Sequence, residues 1–102
     1  MNISELTQAM HTFVGSMGWY EANSPRPQTM RNLAISLSME AAEVLEHFQW
    51  GDELKDTGSL SEELADVMLY LLQLASLSGI DLEQAVLAKL EKNYHRTWDQ
   101  KE

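Results

Sequence analysis

Leu33-Ala34-Ile35-Ser36-Leu37-Ser38-Met39-Glu40-Ala41-Ala42-Glu43-Val44-Leu45-Glu46-His47-Phe48-Gln49-Trp50 decides the fold. Its apolar residues return with a helical period, and no alternating strand pattern competes with it. At about 100° per residue, with Glu40 at zero, Leu33, Leu37, Val44 and Phe48 occupy a sector from about +20° to +80°. Glu43 then falls near about −60°, His47 near about −20° and Trp50 near about −80°. The carboxylate stripe therefore borders the apolar stripe instead of opposing it. A helix is expected from about Thr29 to Trp50, with Gly51 as its stop.

The same pattern recurs downstream. Glu63-Leu64-Ala65-Asp66 again places two acids three residues apart, on one side of a helix. With Glu63 at zero, Asp66 sits near about −60°, Tyr70 near about −20° and Gln73 near about −80°. Val67, Leu71 and Leu74 form the adjoining apolar sector. Ser59-Leu60-Ser61-Glu62 reads as a capping box with Ser59 as N-cap, opening a helix that runs to about Leu77 and ends at Gly79. If the two acidic helices form an antiparallel hairpin, their stripes share one groove.

Two further helices flank this pair. The first is expected over about Ile3 to Ser16, with Leu6, Met10, Phe13 and Val14 on its apolar side and Gly18 beyond its end. Pro25 and Pro27 keep the following connection out of a helix. Asp81-Leu82-Glu83-Gln84 offers a second capping box for a last helix reaching the Asn93–Arg96 region. The expected fold class is all-α, a four-helix bundle forming a single domain over residues 1–102.

Composition narrows the function classes. Sixteen acids against seven bases give a net charge of −9. That balance argues against a nucleic-acid polymer as partner, because phosphate neutralisation supplies most of such affinity. With no cysteine, disulfides, thiolate chemistry and Cys-based zinc sites are excluded. No apolar run approaches the roughly 20 residues of a membrane helix, and the start lacks the regions of a signal peptide. A soluble, cytoplasmic protein with no membrane partner is the expectation.

Four carboxylates in one groove repel one another unless protons or cations intervene. Glu40, Glu43, Glu63 and Asp66 are therefore candidate ligands for Mg²⁺, with Mn²⁺ as a substitute. Such ions pair naturally with a phosphate ester or anhydride. The competing reading is a non-catalytic helical interaction module, its acidic stripe merely solvated. His47 lies on the acidic face and would tune the groove, whereas His11 and His95 are expected at the surface.

Phe13 with Gly18-Trp19, the Leu33–Trp50 stretch, Glu62-Glu63-Leu64-Ala65-Asp66-Val67-Met68-Leu69-Tyr70, and Gly79-Ile80-Asp81-Leu82 with Lys89, Asn93 and Arg96 together resemble the MazG-like all-α nucleoside triphosphate pyrophosphohydrolases. The likeness is nearest to the dCTP pyrophosphatase branch and covers about residues 6–98. It implies Mg²⁺-dependent cleavage of a (d)NTP to the monophosphate and pyrophosphate, in nucleotide-pool housekeeping. It implies that Glu40, Glu43, Glu63 and Asp66 hold metal, with Glu40 or Glu43 also positioning or deprotonating the attacking water. Lys89, Asn93 and Arg96 match phosphate-contacting positions, and Trp19, Trp50 and Tyr70 match positions around the base. A homodimer or a dimer-of-dimers tetramer, in which a partner chain completes the bundle, is implied as well. Two departures lie where base choice is expected to be set. Met10 stands where the branch often has His, with His11 beside it, and the Trp19–Leu33 segment is longer.

Overall fold

The computed structural model describes residues 1–97, and among them four helices and no strand: α1 (Ile3–Ser16), α2 (Met30–Glu46), α3 (Thr57–Leu77) and α4 (Leu82–Tyr94). The all-α expectation holds. The helix α3 is central. It packs along α2 and against α1, and meets α4 at its far end. The bend between α3 and α4 is 101°. No single helix among the described residues is long and apolar enough to cross a membrane, and α3 with α4 meet that test only as a bent pair.

The ends of the helices follow from local chemistry. Asn2 caps α1 with a full capping box, its side chain accepting from Glu5 N while Glu5 bonds back to Asn2 N. The close of α1 is a Schellman turn. Gly18 sits at φ +75°, Gly18 N donates to Gly15 O and Trp19 N to Val14 O. The close of α3 repeats it, with Gly79 at φ +75°, Gly79 N donating to Ser76 O and Ile80 N to Ala75 O. Both stops match the sequence expectation.

Two helix boundaries are corrected. The start of α3 lies earlier than Ser59. Asp56 is the N-cap, and both its oxygens accept from Ser59, from the backbone N at 3.0 Å and the hydroxyl at 2.8 Å. A carboxylate is the stronger acceptor, so it recruits Ser59 into the first turn and Gly58 with it. The end of α2 falls at Glu46, short of Trp50. Beyond it, Phe48 N donates to Leu45 O, Gln49 N to Glu46 O and Gly51 N to Phe48 O, a three-residue spacing that winds about 20° per residue tighter than an α-helix. The projection that put Trp50 beside the acidic stripe stops applying there. At the last helix, Asp81 caps α4 as expected, its side chain accepting from Gln84 N and supplying one half of the expected box.

The core is small. Met10 and Val14 of α1 meet Leu72 of α3, with Ile3, Leu6, Trp19, Met68 and Leu82 packed around them. The buried residues of α3 are thus Leu72, Gln73 and Ala75, whereas Leu71 of the expected sector is exposed and Val67, Met68 and Leu74 are half-buried. A helix with neighbours on several sides cannot confine its apolar residues to one stripe.

Candidate active site

The packing of α2 on α3 brings the two acidic pairs to one place. Glu40 is under the influence of Glu43 on its own helix and of Asp66 and Glu63 on the next. Its Oε2 is buried without a hydrogen-bond partner. Its carboxyl pKa is pushed above the ordinary 4.5, first by burial, then by the adjacent Glu43 carboxyl, then by the charges of Asp66 and Glu63. A carboxylate in this position needs either a proton or a cation. His47 Nε2 is hydrogen-bonded to Glu63 Oε2, which ties the end of α2 to the first turns of α3 and orients that carboxylate.

No three carboxylate or imidazole groups among the described residues stand close enough to form a ready-made metal cage. The residues nonetheless fit a divalent cation. An orphaned buried oxygen inside a cluster of like charges is the donor set such an ion satisfies, and Mg²⁺ tolerates few protein ligands because it keeps waters and takes phosphate oxygens.

Asp66 also lines a cavity of about 640 Å³ between α1, α2, α3 and the Trp19–Gln28 connection. Its walls include Phe13, Trp19, Leu33, Leu69 and Tyr70. Trp19 is placed by the Schellman turn that ends α1. It packs edge-on to Phe13, with ring centroids 5.6 Å apart, and the Arg26 guanidinium lies 5.3 Å from its ring centre. Acidic cluster and aromatic cleft therefore share a wall.

The cleft also has a polar side that sequence reasoning passed over. Gln73 is only 3% exposed and lines the cavity. Its Nε2 donates to Gln28 Oε1 at 2.7 Å and to the Tyr20 hydroxyl at 3.3 Å. That hydroxyl lies 2.6 Å from His11 Nδ1, and His11 Nε2 lies 2.7 Å from Ser76 Oγ. Burial pushes the Tyr20 hydroxyl above its ordinary 10.0, outweighing the Gln73 bond that lowers it, so it stays a donor. His11 is half-buried and bonded on both ring nitrogens, not the surface residue expected. The one signal available beforehand was Gln73 itself, a polar residue at the edge of an apolar helix face.

The other expected site residues are dispersed. Tyr70 and Trp19 line the cleft, but Trp50 is 90% exposed and does not. Lys89 and Arg96 are exposed and Asn93 is half-buried; none of the three lines the cavity. His95 is exposed, as expected, 3.6 Å from Glu91.

The chain is similar to known proteins in both sequence and fold. The model of the MazG-like family matches residues 35–102, and the chain belongs to that family. It is similar to dCTP pyrophosphatase 1 of Mus musculus, 34% identical over 93 residues, an alignment covering 82% of this chain and 52% of the relative. The Homo sapiens dCTP pyrophosphatase 1 is likewise 34% identical over 93 residues, with the same coverage. The chain thus spans about half the length of the curated relatives it matches. Among solved structures, a pyrophosphatase from Archaeoglobus fulgidus DSM 4304 superposes with a TM-score of 0.80 at 35% identity, covering 95% of this chain and 93% of that one.

Proposed function

We propose that this chain is a nucleoside triphosphate pyrophosphohydrolase, converting a (d)NTP and water to the monophosphate and pyrophosphate in nucleotide-pool housekeeping. The observation that carries the reading is the buried Glu40 oxygen with no hydrogen-bond partner, under the charges of Glu43, Asp66 and Glu63, with Asp66 also lining the aromatic cleft. The likeness to two pyrophosphatases supports the same chemistry.

In this reading Glu40, Glu43, Glu63 and Asp66 would hold Mg²⁺. Bound there, the ion would offset the triphosphate charge and polarise the phosphoryl oxygens. Glu40 or Glu43 takes the proton of the attacking water. His47 holds Glu63 in place, as outer partners of metal ligands commonly do. Trp19 and Tyr70 flank the base, since any base presents a face that stacks on an aromatic ring. Lys89, Asn93 and Arg96 contact the phosphates. All three lie on or just beyond α4, outside the cleft, so their contribution fits an assembly in which chains pair and a partner's α4 supplies them. Trp50 joins the base site on the same condition.

Purified protein should release monophosphate and pyrophosphate, not diphosphate and phosphate, when given Mg²⁺ and a panel of (d)NTPs. Replacing Glu43 by Gln should lower kcat by about 10²–10⁴-fold, the contribution of a positioned general base or more, with helical content unchanged by circular dichroism. Wild-type rates in both Glu43→Gln and Asp66→Asn would remove the assignment.

A further inference from the structure

The polar side of the cleft has a direction, and one backbone atom sets it. Gln28 Nε2 donates to Arg26 O at 2.7 Å. A backbone carbonyl only accepts, so the Gln28 group facing it must be the amide N–H. Gln28 therefore presents its oxygen to Gln73, and Gln73 must present its amide nitrogen in return. The other hydrogen of that nitrogen goes to the Tyr20 hydroxyl. The Tyr20 hydroxyl continues the line to His11 Nδ1 at 2.6 Å, with Met10 Sδ 3.9 Å away. His11 Nε2 in turn is hydrogen-bonded to Ser76 Oγ at 2.7 Å. The Arg26 carbonyl thus fixes the direction of both glutamine amides, and reversing either one opposes two oxygens or two N–H groups.

This chain spans the molecule where little else does. Gln28 and Tyr20 both belong to the connection that carries Trp19 and Arg26, and among the described residues that connection contains no helix or strand. Gln73 and Ser76 lie one turn apart on α3, and His11 lies on α1. We infer that Gln73 is a positioning residue: its buried amide, donating to both Gln28 and Tyr20, clamps the Trp19–Gln28 wall onto α3 and so holds the aromatic cleft in its ligand-binding shape. The inference rests on the nucleotide reading of the cleft for its kinetic consequence, but not for its structural one.

The test therefore has two arms. In the first, hydrogen–deuterium exchange is measured on protein without nucleotide. Gln73→Glu has nearly the same shape but only accepts, so the amides between Trp19 and Gln28 should exchange about tenfold faster, the worth of one buried hydrogen bond. Tyr20→Phe cuts the second arm of the clamp, together with the hydroxyl's contacts to His11 and Met10, and should accelerate the same amides. Gln28→Met removes the acceptor for the Gln73 amide and should accelerate them as well. In the second arm, with Mg²⁺ and the best nucleotide, Gln73→Glu should raise KM about tenfold and leave kcat within about threefold. Unchanged exchange in both Gln73→Glu and Tyr20→Phe overturns the clamp, as does a fall in kcat at constant KM. Should wild-type protein hydrolyse no nucleotide, the functional reading fails and exchange alone decides the clamp.

Discussion

Glu40 stands among like charges, its carboxyl pressed by burial and by Glu43, Asp66 and Glu63. Its pKa is higher in the folded chain than in the unfolded one, so the folded state binds more protons between the two values. Stability from this group is full below pH 4.5 and falls as pH rises through the folded pKa. Removing the ionisation should relieve that loss. In EDTA at neutral pH, Glu40→Gln is expected to melt above wild type, the gap closing as pH drops below 4.5. Mg²⁺ should raise the wild-type Tm by binding only the folded state and leave the variant nearly unmoved. Thermal melts at two pH values, with and without Mg²⁺, check both signs; a Glu40→Gln variant less stable than wild type at neutral pH would contradict the account.

At the scale of an element, the end of α1 shows how local backbone chemistry builds the cleft. Gly18 at φ +75° lets the chain reverse, and the reversal delivers Trp19 onto Val14 and Phe13. Gly15 lies one turn earlier within α1, and a Cβ added there meets nothing within 4 Å. The same substitution should therefore have opposite signs at the two positions. Gly18→Ala forces a left-handed conformation on a residue with a Cβ and should cost about 1–2 kcal/mol. Gly15→Ala should gain about 0.5–1 kcal/mol by reducing the freedom of the unfolded chain. Urea denaturation of the two variants measures both, and a destabilised Gly15→Ala would show that the end of α1 is not an ordinary helical turn.

The whole molecule is more open than its length requires. Its Cα radius of gyration is 16.6 Å, against about 13 Å for a compact chain of this size. The reason is α4, which turns away from α3 and leaves Val86, Leu87 and Leu90 about half exposed. Apolar residues on such an arm are consistent with the proposed pairing of chains, which also brings Lys89, Asn93 and Arg96 to a site. Light scattering should give a mass that is a multiple of 11.6 kDa, and Leu90→Glu should shift it toward the single chain and lower activity with it. A monomeric wild type with full activity would separate the two ideas.

Helix periodicity is a local property, repeating every 3.6 residues, so α1 to α4, the glycine stops of α1 and α3 and the spacing of Glu40, Glu43, Glu63 and Asp66 are all legible in the chain. So is the family, because its motifs are short and sit within single helices. The end of α2 at Glu46 is not legible, since a change of winding there leaves no mark on the apolar pattern. Nor is the start of α3 at Asp56, because two good caps compete and acceptor strength decides between them. What only the tertiary structure decided is which groups meet across the fold. Gln73 pairs with Gln28 across 45 residues and with Tyr20 across 53, and His11 with Ser76 across 65. Such contacts depend on how α3 lies against its neighbours, and no local repeat encodes them. The chain by itself determined the acids and the helices that carry them; packing decided that Glu40 is the strained one and that a buried amide holds the wall beside it.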